Sequence, residues 1–159
     1  MSEARDICLI LWADRFDEAV AVVFAVELRR IGLPVRLVKL PGVNYTGLYG
    51  FTLTPDISLN EALAMLERVA CILVPTDSPA IGGAANDPRV ETLWTQARQQ
   101  QIEVIAGAQA AAVLAGSDSE RGLMLSRYGE GAALYQQAGK LAQRVKSVSS
   151  KYPKRTNIL

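Results

Sequence analysis

Short stretches of this chain carry almost no polar side chain, among them residues 6–13, 70–75 and 102–106. Apolar runs of four to eight residues are short for helices. They read as strands covered on both faces, the habit of parallel sheets. The segments between them carry helix start and stop signals. Asp14 offers an N-cap, and Asp17 and Glu18 put negative charge in the first turn of a helix over 19–31. Arg29, Arg30 and Gly32 fit its C-terminal end. A strand over 34–40 then completes a βαβ unit.

The rest of the chain repeats this alternation. A turn-rich loop covers 41–50 and a short strand is predicted at 51–54. Ser58 and Glu61 form a capping box at the start of a helix reaching about Arg68. Strand 70–75 leads into a small-residue loop over 76–88. Asp87 at N-cap and Pro88 at N1 open a helix through Gln100. Strand 102–106, helix 108–115, strand 123–126 and helix 131–145 follow. Strands alternating with helices in 159 residues predict one α/β domain, a three-layer α/β/α sandwich with a largely parallel, flavodoxin-like sheet. The domain is expected over 1–146, with a loosely structured basic tail over 147–159.

Composition removes several chemistries. There is no histidine, which excludes Ser-His and Cys-His nucleophile pairs and the usual imidazole metal ligands. Cys8 and Cys71 each sit inside an apolar run, so both read as reduced core thiols. No metal and no cofactor are expected. No stretch of about 18 apolar residues spans a membrane, the mixed charges before Ile7 do not resemble a signal peptide, and a cytoplasmic location is expected.

Three segments resemble the ThiJ/PfpI superfamily, the group of the Parkinsonism-associated deglycase-like proteins and PfpI-type proteases. The first runs from Leu9-Ile10-Leu11-Trp12-Ala13 through an acidic turn into the helix ending Leu28-Arg29-Arg30-Ile31-Gly32. The second is Leu53-Thr54-Pro55-Asp56-Ile57-Ser58-Leu59, with Ile72-Leu73-Val74-Pro75 after the next helix. The third is Gly122-Leu123-Met124-Leu125-Ser126-Arg127, followed by a small-residue turn and the last helix. The resemblance implies a flavodoxin-like fold and a strand-to-helix elbow carrying a cysteine. Here the elbow resembles Val104-Ile105-Ala106-Gly107-Ala108-Gln109, and Gly107, or an alanine beside it, stands where the resemblance puts the thiol, so a one-residue shift recovers no nucleophile. Val20 stands where it puts a glutamate, and Glu18 lies about half a helical turn away. Pro75-Thr76-Asp77 replaces a Pro-Gly-Gly turn that supplies oxyanion donors, and a carboxylate there would repel an oxyanion. Only residues 116–121 remain where relatives insert their histidine segment.

A degenerate member of that superfamily is therefore expected, a non-catalytic binding, regulatory or assembly subunit. The alternatives are a hydrolase or glyoxalase/deglycase-like enzyme using a relocated carboxylate or hydroxyl, and a holdase-type chaperone. Pocket candidates are Asp14, Asp17, Glu18, Val20, Thr76, Asp77, Ser78, Gly107, Ala108 and Gln109, while Tyr45, Tyr49, Arg127 and Tyr128 suit a cleft or an interface. The first helix is apolar nearly all round, so a second surface should cover it. In the resembled family this helix lies at a dimer interface, and Val20, Val23 and Phe24 are the expected contacts of a homodimer or hetero-oligomer. Residues 131–159 hold six basic side chains and no acidic one, against eleven basic and sixteen acidic before them. Lys151, Tyr152, Lys154, Arg155, Ile158 and Leu159 suit an extended peptide docking on a protein partner. Nucleic acid is disfavoured, because the body is acidic and the basic stripe short.

Overall fold

The uninterrupted apolar runs become the centre of a six-stranded sheet. The computed structural model describes residues 4–42, 45–78, 87–115 and 123–150. β1 (Ile7–Trp12), β4 (Val69–Val74) and β5 (Glu103–Ala106) lie side by side, with β2 (Val35–Lys39) and β3 (Ile57–Ser58) beyond β1 and β6 (Met124–Arg127) beyond β5. The order is β3-β2-β1-β4-β5-β6, and every strand pair is parallel. All six residues of β1 are buried, which is why its sequence lacks the alternation of a one-sided strand.

The helices are α1 (Glu18–Arg30), α2 (Leu59–Ala64), α3 (Pro88–Gln99), α4 (Ala108–Ala115) and α5 (Ala132–Ser150). A short 3₁₀ turn, Leu66–Arg68, follows α2. Right-handed crossovers send α1 to one face of the sheet, because β2 lies on the opposite side of β1 from β4. They send α2, α3 and α4 to the other face. α5 packs against α1.

Local chemistry explains most boundaries. The Ser58–Glu61 capping box forms in both directions, and Asp87 caps α3 with Pro88 in its first turn. Gly32 takes φ 86° just past α1, a conformation that a Cβ would disfavour. Cys8 and Cys71 are register partners on β1 and β4, both buried. Their mutual hydrogen bond and their burial push the Cys71 thiol well above its usual range, the state of an unreactive core thiol.

Four expectations are corrected. The N-cap of α1 is Asp17, which accepts from Val20 N at 3.1 Å, and not Asp14. The chain turns sharply between them, with Arg15 at φ 63°. The strand expected at 51–54 lies instead at Ile57–Ser58. Thr52 makes an isolated antiparallel bridge to Thr46. Pairing with β2 begins at Asp56, whose N–H donates to Leu37 O and whose carboxylate accepts from Leu37 N, both at 2.8 Å. The last helix runs to Ser150, past the expected end at 145, so residues 147–150 are helical.

The fourth correction concerns α1. Val20 and Phe24 are buried within the single chain and Val23 is half-buried, so the first two are core residues. The sheet takes one side of the helix and α5 supplies the second surface. The outward-facing apolar residues of α1 are Val22 and Val26, 45% and 47% exposed. Phe24→Ala should accordingly cost about 3–5 kcal/mol of unfolding free energy, read from the urea midpoint. A loss below 1 kcal/mol would show that Phe24 is not a core residue.

Candidate functional site

Strand order reverses direction between β1 and β4, and open parallel sheets bind ligands at the carboxyl ends of strands beside such a switch point. A cleft of about 920 Å³ opens there. The turn after β1 brings Asp14, Arg15, Phe16 and Asp17 to it, and the turn after β4 brings Thr76, Asp77 and Ser78. Gly107 and Ala108 arrive from the elbow after β5. Tyr128 and Glu130 come from the link between β6 and α5, and Leu48 and Tyr49 from the loop beyond β2.

The elbow is closed by backbone. Gly107 N–H donates to the Thr76 carbonyl at 3.1 Å. A Cβ placed on Gly107 would lie 2.6 Å from both Asp77 Cα and Thr76 O, well inside contact distance. No side chain of any kind fits at 107 without moving residues 76–77. Asp77 Oδ1 then accepts from Gln109 N at 2.7 Å. The first turn of α4 thus has its free N–H capped by a carboxylate from another loop. Asp17 caps α1 from its own N-cap position, and its N–H donates to Pro75 O at 2.6 Å, tying the two turns together.

Of the candidates named from sequence, Asp14, Asp17, Val20, Thr76, Asp77, Ser78, Gly107 and Ala108 line the cleft. Gln109 contributes its backbone N–H to the Asp77 cap. Thr76 Oγ1 accepts from Ser78 N at 3.1 Å. Glu18 does not line the cleft. It is buried under the loop over 45–51, its Oε1 accepting from Tyr49 N at 2.7 Å and its Oε2 without a partner. Gly47 packs so closely that a Cβ there would overlap Glu18 Oε2. Sequence reading named Tyr49 but not its anchor, since nothing in the sequence links residues 31 positions apart. It also missed Glu130, whose signal was an acid flanked by Gly129 and Gly131 at a helix start. The docking residues Lys151, Tyr152, Lys154, Arg155, Ile158 and Leu159, and the shortened segment at 116–121, lie outside the described residues.

No family model and no curated protein sequence matches the chain. Solved structures do. A DJ-1 superfamily protein from Salmonella typhimurium, solved as a cysteine-to-alanine mutant, superposes with a TM-score of 0.69 at 16% identity, over 91% of this chain and 92% of that one. The chain has the DJ-1/ThiJ/PfpI fold. DJ-1beta of Drosophila melanogaster superposes at 0.67 with 17% identity, over 95% and 97% of the two chains. Oxidized Toxoplasma gondii DJ-1 superposes at 0.65 with 16% identity, over 89% and 96%. Within this DJ-1-like fold, no group of three or more metal-binding side chains occurs among the described residues. None of the described helices is long and apolar enough to cross a membrane.

Tyr128 reports the electrostatics of the cleft. Burial first, then the charges of Asp17, Asp77 and Glu130, raise its phenol well above the ordinary value. The neutral phenol is therefore favoured in the folded state, so the unfolded chain loses this proton first as pH rises. Folding stability is unaffected by Tyr128 below about pH 10 and falls above it. Tyr128→Phe should flatten that alkaline fall in a series of urea titrations. An identical fall in the variant would show that Tyr128 ionises normally.

Proposed function

We propose that this chain is a degenerate DJ-1/ThiJ/PfpI-like protein that works without the cysteine chemistry of that scaffold, as a binding, regulatory or assembly subunit. The observation that carries this reading is the contact of Gly107 with the Thr76–Asp77 backbone. An elbow nucleophile needs room for its side chain and free N–H groups for the developing oxyanion. Here the room is filled by main chain, and a carboxylate holds the Gln109 N–H. The absence of histidine removes the usual general base. Both cysteines lie in the sheet, away from the cleft.

The purified protein should show no turnover of methylglyoxal, peptides or esters, and Gly107→Cys should not create any. Turnover that survives alanine at both Cys8 and Cys71 would replace this reading with the carboxylate or hydroxyl enzyme. Turnover abolished by either alanine would put the chemistry on a strand thiol.

The outer face of α1 supports self-association as part of the same reading. Val22 and Val26 lie one turn apart and expose apolar surface, and covering each side chain would contribute up to about 1.5–3 kcal/mol. Val26→Asp should convert a dimer to a folded monomer in sedimentation velocity, because a carboxylate inside such a contact would be unpaired. A wild-type monomer at tens of micromolar would refute the interface.

A further inference from the structure

The cleft has the volume of sites that take small organic molecules, and its lining has a definite character. Phe16, Val20, Leu48 and Leu134 give it apolar walls, and Tyr49 and Tyr128 add aromatic rings. Four acidic residues line it, Asp14, Asp17, Asp77 and Glu130, against one basic residue, Arg15. The roles of the four differ. Asp17 and Asp77 are engaged as helix caps. Asp14 and Glu130 are exposed, and neither side-chain carboxylate has a hydrogen-bond or ion-pair partner among the described residues.

Helix N-termini opening on a cleft ordinarily make an anion site. Here the ends of α1 and α4 already hold internal carboxylates, and Glu130 sits two residues before α5. An entering anion meets negative charge at each of these three helix starts.

We propose that the cleft binds an organic cation, an ammonium ion carried on an apolar body. The ammonium group takes the unengaged carboxylates of Asp14 and Glu130, and the body packs on the apolar walls. An aromatic ring beside a desolvated cation adds attraction from its face. Tyr128 keeps its proton and adds no competing charge. The proposal rests on the non-catalytic reading only in treating the bound molecule as unchanged.

Three probes of similar shape test it: phenethylamine, 2-phenylethanol and 3-phenylpropionate, titrated against the full chain by calorimetry at neutral pH. The amine should bind at least tenfold more tightly than the alcohol, the carboxylate should not bind, and salt should weaken the amine alone. Asp14→Asn with Glu130→Gln should remove the preference of amine over alcohol. Both residues are exposed, so the double variant should keep the wild-type melting temperature. Binding of the carboxylate as tight as that of the amine, no amine binding at millimolar concentration, or an unchanged preference in the double variant would each overturn the proposal. Proton NMR of the same samples separates the two claims, since amine that binds and is consumed would retain the cation site and refute the non-catalytic reading.

Discussion

One hydrogen bond organises the carboxyl edge of this sheet: Gly107 N–H to the Thr76 carbonyl. It forms because residue 107 lacks a Cβ, and it lets the turn after β4 lie directly on the elbow after β5. Asp77 is thereby carried to the start of α4, where its carboxylate caps Gln109 N–H. Asp17 N–H meets Pro75 O in the same region, so three turns from neighbouring strands are locked into one surface. At this point the space that a side chain would take is filled by the Thr76–Asp77 backbone.

Much of the architecture was legible because buried parallel strands have an unusual sequence. The runs at 6–13, 70–75 and 102–106 are almost wholly buried, and the caps at Ser58, Asp87 and Gly32 follow from local chemistry that needs no tertiary context. The errors cluster where tertiary contacts decide. Asp14 and Asp17 are equally good caps by type, and the Arg15 turn selects the second. The edge strand began late because Asp56 pairs with Leu37 through main chain and side chain together. The all-apolar α1 suggested a partner chain. α5 provides much of that cover from within, a fact no periodicity in α1 could reveal.

The candidate site was legible in its residue types more than in their arrangement. Gly107, Val20 and Asp77 stood out as residues of the wrong type at positions that the resemblance marked. Their arrangement was not readable, since the backbone contact at 107 and the cap from Asp77 depend on how two loops meet. Glu18 was singled out for its charge, but its oxygen meets Tyr49 N–H behind the cleft wall rather than in the cleft. Helices α1 and α4 each gain a carboxylate cap where they open on the cleft. This satisfies backbone donors locally and sets the sign of the field there.

The packing of Gly47 against Glu18 has a consequence for how this protein can change over time. A carboxylate buried with one unpartnered oxygen is costly to keep, and a larger residue in place of the glycine opposite it would have to push that carboxylate aside. A side chain at 47 would displace the Glu18 carboxylate and with it the bond to Tyr49 N–H, so the two positions are coupled through the 45–51 loop. Variation in the cleft wall is left to Leu48 and Tyr49, whose side chains are exposed and can be exchanged singly.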